Sequence, residues 1–441
     1  MFRPYLVKQR SLGIYTISHI FLLIIFWSNA TIQITIEIVP FFLLTWISIF
    51  KLAQLSHLGL HGLYQSIFFL FIYVFLGLAP LLQIATDTRP LPFPVTNQDF
   101  MKAGYLILLS LPFYFLGCKI NARHLTNFFS RQINQRRIPI FTWLSIMVSI
   151  PLMLSFGIGN LFRSREELNA ILFSAIRVDN SVGAIKSALL SVPIFIALIC
   201  EIQSSKKKVA SDNLRILLLV LLNAVINNPI SQSRFWFSTV WGTFFLLLSF
   251  RRKSIQTKLP LFLIIGILIV FPNSDIFRYK GSSFDFNIVN PVVQLTQKGD
   301  FDSLQQISWG IKTVSEQGYL RGKQIAGAAL FFIPRSVWNE KPLDTGIYLA
   351  KYAGYANTSL SAPIWIEAFI DFGALGTFLY LFILGLLHAA LRRATITNFN
   401  SVWLLFALYQ LVILRGSLIQ SMATTFSIVV CIVFLTKSVV N

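Results

Sequence analysis

Twelve apolar runs punctuate the chain, at about 12–29, 32–50, 64–84, 101–118, 138–159, 184–201, 213–229, 235–250, 259–272, 361–388, 400–414 and 417–436. A helix needs about 20 mostly apolar residues to cross a bilayer. The pattern therefore predicts an all-α polytopic membrane protein with about 12 transmembrane helices. The rhythm breaks once, between the ninth and tenth runs, where residues 273–360 are largely polar. Three regions follow: helices one to nine over 1–272, a large loop over 273–360, and helices ten to twelve over 361–441. Within the loop, Phe301–Val314 and Tyr319–Ile333 place apolar residues at helical spacing. Such segments read as short amphipathic helices that lie on the membrane surface or dip into the protein. The first apolar run is followed at once by a second, which reads as a retained signal anchor.

Composition agrees with a membrane protein and charge adds its orientation. Of 441 residues, 55% are hydrophobic and 12% charged, about half the charged share of a soluble domain. A net charge of +20 with so few charges and a mean hydropathy of +0.68 does not describe a nucleic-acid binder. With the N-terminus placed inside, 20 of the 37 Lys and Arg fall on inner segments: 3–10, Lys51, 119–137, 206–215, 251–258, Arg392 with Arg393, and Lys437. Only Glu201 and Asp212 oppose them, so +18 of the +20 lies on one side. By the positive-inside rule both termini are cytoplasmic, the span number is even, and the large loop faces out. Cys118, Cys200 and Cys431 lie in or beside spans, so the loop has no disulfide to brace it.

The five histidines, His19, His57, His61, His124 and His388, all lie outside the large loop. His57 and His61 are four apart, but HLGLH lacks the glutamate of a zinc-protease helix. No phosphate-binding glycine loop, dinucleotide fingerprint or CxxC pair is present, so no cofactor and no metal are expected. The outer side offers cations instead. Arg234 lies in NNPISQSRFWF, Arg278 and Lys280 in DIFRYKG, Arg321 and Lys323 in YLRGKQ, Arg335 and Lys341 in FFIPRSVWNEKP, and Arg415 between the last two spans. A guanidinium donates two parallel hydrogen bonds to a phosphate and keeps its charge. The same residues also suit lipid headgroups or the loop's own acids. Arg335 stands out, because it follows an apolar run and a proline and neighbours Trp338. Glu367 and Asp371 sit four apart on the tenth helix, where a charge is costly unless paired or used. Glu367 either pairs with an arginine or accepts a proton. Asn223, Asn227 and Asn228 make the outer half of the seventh helix polar, and Glu37 stands alone in the second. The loop aromatics Trp309, Tyr319, Trp338, Tyr348, Tyr352 and Tyr355, with Trp365 at its end, suit sugar stacking or membrane-interface anchoring.

The runs FFIPRSVWNEKPLDTG and SLSAPIWIEAFIDFGALG, with a large outer loop before the last three spans, resemble the Wzy-type O-antigen polymerases. Arg335 and Gly346 reproduce that family's Arg-x10-Gly spacing, and Glu367, Gly373 and Gly376 follow as E-x5-G-x2-G. The resemblance is strongest over about 230–390 and topological elsewhere. A second copy of the spacing is not evident, since the eleventh residue after Arg234 is Phe245. The resemblance implies a fold like the GT-C glycosyltransferases, in the bacterial inner membrane. It implies an enzyme joining repeat units on undecaprenyl diphosphate, with membrane lipids, a flippase and a chain-length regulator as partners. Catalytic roles fall to Arg335, Arg234 and Glu367. Diphosphate and sugar binding fall to Arg278, Lys280, Arg321, Lys341, Trp338, Gly346 and Arg415. The general base stays open among Glu367, Asp344 and Glu340. An O-antigen ligase is the nearest rival, but those carry a histidine in this loop. A flippase would spread its charges between two similar halves. A transferase with a monophosphate-linked donor would show acids in the first outer loop, which here reads SNAT.

Overall fold

In a computed structural model, which describes residues 3–28, 35–163, 167, 180–204, 210–249, 253–270, 290–355, 360–397 and 402–438, the described part of each of the twelve apolar runs is mostly helix. The described chain is almost entirely helical, and the protein is membrane-embedded. Seven helices are long and apolar enough to cross a membrane: Ile36–Ser56, Gly59–Ala85, Asn97–Lys119, Ile138–Phe156, Val182–Gln203, Ile364–Ile396 and Leu418–Leu435. Leu12–Ile24, Ile255–Ile269 and Leu405–Arg415 are shorter apolar helices. The remaining two runs form Ala210–Ile226 and Arg234–Ser249.

We number the helices α1 (Arg3–Ser28), α2 (Val39–Ser56), α3 (Leu63–Phe71), α4 (Ala79–Ala85), α5 (Asn97–Lys119), α6 (Arg123–Phe129), α7 (Ile138–Phe156), α8 (Asn180–Gln203), α9 (Ala210–Ile226), α10 (Arg234–Ser249) and α11 (Lys253–Ile265). The loop contributes α12 (Pro291–Gln297), α13 (Ser303–Gln317), α14 (Lys323–Ala329) and α15 (Thr345–Tyr352). α16 (Ile364–Thr397), α17 (Val402–Arg415) and α18 (Leu418–Leu435) complete the chain. A wide helical turn, Ile72–Leu78, joins α3 to α4, and this unit is wholly buried at the centre of the bundle. Its side chains explain the position: Phe68, Phe69, Phe71 and Phe75 crowd one stretch, and polar Gln65 and Gln83 mark its two ends.

Hydrogen bonds sort the connections into two ends. At one, Arg392 reaches Gln65, Tyr64 reaches the Trp403 carbonyl, and Ser204 reaches Gln135. There, too, strand β1 (Arg131–Ile133) pairs antiparallel with β2 (Thr436–Ser438), in the register Gln132 to Lys437. Arg215 bridges Glu201 at 2.8 Å and Asp212 at 2.6 Å, and Thr142 donates to the same Glu201. At the other end lie 83–97, 227–234, 290–355, 360–363 and 415–418, where Gln83 binds the carbonyls of Leu295 and Phe301.

The loop helices enter the bundle. Residues Ser303–Gly310 of α13 are buried on every side, and Phe301 before them stacks on Phe75 at 5.3 Å. A Cβ added to Gly310 would stand 2.2 Å from Ile366, so α13 presses directly against α16. The predicted amphipathic piece Phe301–Val314 is therefore a helix that dips into the protein. Tyr319–Ile333 yields only α14, because left-handed Gly318 (φ 81°) and Gly322 (φ 86°) hold the chain before it out of helix.

α16 is two helices. Gly373 has φ 65° and ψ −155°, which helical geometry does not admit. Thr377 Oγ1 donates to the Trp365 carbonyl at 3.3 Å, although 12 residues of straight helix would part them by about 18 Å. The piece 364–372 thus folds back on 374–397. Its Trp365 reaches deep into the bundle, donating to Ser110 Oγ at 3.0 Å and stacking on Phe68 and Phe71. Glu367 and Asp371 ride on this returning piece and go to different partners, not along the face of one straight span.

Candidate functional site

Two arginines from separate helices converge on two aspartates of the loop. Arg234 opens α10 and pairs with Asp300 through Nη1 and Oδ2. Arg415 closes α17, and its Nη2 pairs with Asp302 Oδ1 at 3.0 Å. The Arg415 fork also donates to the carbonyls of Asp300 (3.0 Å) and Gly299 (2.8 Å). Its guanidinium lies 5.0 Å from the ring centre of Phe235, the residue after Arg234, so the two cations are neighbours. A cation at a helix C-terminus is favoured by the helix dipole, whereas one at an N-terminus is not. Arg415 is at ease where it lies, and Arg234 requires an anion. Asp302 is buried and also accepts from the Ser361 amide at 3.3 Å. Burial raises its carboxyl and the charge of Arg415 opposes the rise.

The Arg335 segment forms a stitched turn. Arg335 donates to the carbonyls of Lys341 (2.5 Å) and Pro342 (2.8 Å). Lys341, itself buried, donates back to the carbonyls of Phe331 (2.7 Å) and Ile333 (2.8 Å). These reciprocal bonds fix where the chain enters α15. There Asp344 caps the helix, accepting from the amides of Gly346 (2.9 Å) and Ile347 (3.4 Å). A Cβ on Gly346 would stand 2.7 Å from the Leu360 carbonyl, so only glycine fits. The Arg-x10-Gly spacing is thus the frame of one turn and one helix start.

Glu367 faces this frame. Its Oε1 accepts from the Leu418 amide, in the first turn of α18, at 3.1 Å. Asp344, Thr345 and Ser417 surround it. Two carboxyl groups are thereby brought together. Asp371, in contrast, accepts from the amides of Gln324 (3.2 Å) and Ile325 (3.0 Å) at the start of α14.

Burial raises the Asp344 carboxyl, and the capping amides only partly oppose it. Its folded value lies above the unfolded one, about 3.9. The contribution to stability is then full below that unfolded value and falls as pH rises through the raised folded one. We expect Asp344→Asn to keep the cap and to flatten the decline of melting temperature above about pH 4 relative to wild type. Asp344→Ala should lose the cap and about 0.5–2 kcal/mol. Thermal melts in detergent across pH check both; an unchanged slope in the Asn variant would show that Asp344 does not titrate there.

A comparison of the chain with known protein families, curated proteins and solved structures gave no match. Site assignment therefore rests on geometry. Arg234 and Arg415 are brought together, and Arg335, Lys341, Gly346, Asp344 and Glu367 form a second, continuous group. Trp338 is half-buried in the stitched turn, and Arg321 and Lys323 are exposed. Arg278 and Lys280 lie outside the described residues. Among the described residues, no three His, Cys, Asp or Glu side chains gather as a metal site would require.

Several residues at this end escaped the sequence reading. Asp300 and Asp302 are the partners of both arginines, in a segment (GDFDS) that carried no motif. Arg89, between α4 and α5, lies 4.5 Å from the Phe100 ring centre and pairs with Asn97 and, at 3.7 Å, Asp87. Its position just before Pro90, between two spans, was the available signal.

Proposed function

We propose that the protein polymerises oligosaccharide repeat units carried on undecaprenyl diphosphate, as a GT-C-like glycosyltransferase of about twelve spans. In this reading it works at the outer face of the bacterial inner membrane with both termini cytoplasmic. The observation that carries the proposal is the meeting of Arg234 and Arg415 over Asp300 and Asp302. It lies at the end of the bundle that receives the Arg335 loop. In this reading the diphosphate displaces the partly exposed Asp300 from Arg234 and adds to Arg415, whose bond to buried Asp302 is kept.

The chemistry follows from the charges. An acceptor hydroxyl attacks the anomeric carbon of the donor sugar while the bond from that carbon to the diphosphate oxygen breaks. The hydroxyl proton passes to a base, for which Glu367 is our candidate. Negative charge gathers on the departing lipid diphosphate, where preorganised guanidinium donors stabilise it. Holding both lipid-linked substrates in one site removes most of the entropy barrier to their encounter. The stitched turn leads into Asp344 and Thr345 beside Glu367, which makes Arg335 a positioning residue in this scheme. A flippase that supplies the repeat units and a chain-length regulator are partners by analogy only.

The decisive experiment supplies purified protein with lipid-linked repeat units in detergent, where no membrane has to be crossed. Lengthened products support polymerisation; no lengthening of substrates known to be competent favours transport. In cells lacking their own polymerase, Arg335→Ala and Arg335→Lys should both shorten polymer ladders at normal protein level. Lysine retains the charge but cannot fork across two carbonyls. Full-length ladders from both variants would remove Arg335 from the scheme.

A further inference from the structure

The first two turns of α13 carry polar groups that no described residue satisfies. Ser303 and Gln306, three apart on one face, are fully buried at 0% exposure. The Ser303 hydroxyl and both ends of the Gln306 amide make no hydrogen bond among the described residues. Gln83 adds a third group. Its Nε2 holds the carbonyls of Leu295 and Phe301 at 2.8 and 3.0 Å, while its Oε1 makes none. Adjacent Gln305 shows the contrast, since its Oε1 accepts from the Leu91 amide (3.0 Å) and its Nε2 donates to the Leu91 carbonyl (2.6 Å). Buried polar groups are nearly always paired, so three unpaired ones around a single helix start mark a place suited to a polar ligand.

The location selects the ligand. Asp302 immediately precedes Ser303 and is bound by Arg415. Ser303 and Gln306 stand only about 1.5 and 6 Å further along the helix axis. A sugar joined to a diphosphate held at the arginines falls within that reach. The groups offered are neutral: one hydroxyl, one complete amide and one amide oxygen. Together they supply donors and acceptors for adjacent hydroxyls and no charge. Further along α13, Trp309 stacks with Phe93 at 5.5 Å and neighbours Tyr352 at 5.8 Å. That aromatic group lies toward the exposed end of the helix, where later sugars would leave.

We propose that Ser303, Gln306 and Gln83 form a subsite for the hydroxyls of the first sugar on a lipid diphosphate, with the diphosphate against Arg234 and Arg415. This rests on the polymerase reading of the arginines. The test uses the full chain in detergent and two kinds of probe: bare undecaprenyl diphosphate, and the same lipid bearing one glucose, galactose, N-acetylglucosamine or N-acetylgalactosamine. Wild type should bind at least one sugared lipid about tenfold or more tighter than the bare one, which is the worth of about one buried hydrogen bond. Gln306→Met and Ser303→Ala should bring that ratio towards one while leaving affinity for the bare lipid within about twofold. Ser303→Ala removes a single oxygen and keeps the test open should Gln306→Met fail to fold. A wild type that binds bare and sugared lipids equally overturns the subsite alone, as do variants that keep the preference. A wild type that binds no diphosphate lipid overturns the polymerase reading and this one with it.

Discussion

Replacing Arg415 with alanine should lower the stability of the solubilised protein by about 3–5 kcal/mol, the usual cost of leaving a buried charge without its partner. Asp302 is 2% exposed in its side chain and Arg415 supplies its only ion pair among the described residues, so the carboxylate cannot turn to water. Two loop carbonyls lose their donors in the same step. Asp302→Asn alone should cost less, because Arg415 keeps those carbonyls and an amide oxygen still accepts. The double variant Asp302→Asn with Arg415→Ala should recover much of the single arginine loss, which a double-mutant cycle measures directly. Proton linkage gives a second signature. Burial raises the Asp302 carboxyl, and without Arg415 only its hydrogen bonds to Ser361 oppose the rise. The Arg415→Ala deficit should therefore shrink as pH falls and the carboxyl takes up a proton. Melts of Arg415→Ala indistinguishable from wild type, or a double variant weaker than either single one, would refute the pairing.

The second large effect is expected at the crossing of α5 and α16. A Cβ on Gly117 would stand 2.0 Å from the Phe382 carbonyl oxygen, and one on Gly385 would stand 2.1 Å from that of Tyr114. Both obstacles are backbone, which cannot rotate away as a side chain can. Small residues permit such close approach between membrane helices. Gly117→Val or Gly385→Val should part the helices and cost at least the ~1–3 kcal/mol typical of overpacking. The loss spreads because Tyr114 bonds His388 at 2.9 Å and Ser110 holds Trp365 at this crossing. Displacing Trp365 moves the returning piece that carries Glu367, so activity should fall with stability. Gly13→Ala is the control, since nothing stands within 4 Å of its added Cβ. Recovery of monodisperse Gly385→Val protein at wild-type yield and melting temperature would show that the helices are not this close.

Helix positions were legible in the sequence because apolarity over some twenty residues is a local property. The burial of α13 was left open, since its amphipathic pattern suits a surface helix as well as one that dips into the protein. Ser303, Gln305, Gln306 and Ser308 are all buried, because the loop inserts between spans that are far away in sequence. The fold-back at Gly373 was hidden inside a continuous apolar run, since hydropathy carries no information on chain direction. Arg234 and Arg415 could be picked out as outer cations, but their aspartates lie 66 and 113 residues away, beyond any spacing rule. The Arg335 spacing was visible as a pattern. Its physical content, a guanidinium closing a turn through two carbonyls, required coordinates.

The short ladder between β1 and β2 also sets a schedule. Arg131 and Thr436 are joined by a side-chain bond across 305 residues. At about 5–20 residues per second of synthesis, β1 waits roughly 15–60 s for its partner. During that interval the segment before α7 presents an unpaired strand edge, and twelve later helices among the described residues, α7 to α18, must be placed before it is covered. β2 thus acts as a clasp, closed only after α18 has been placed.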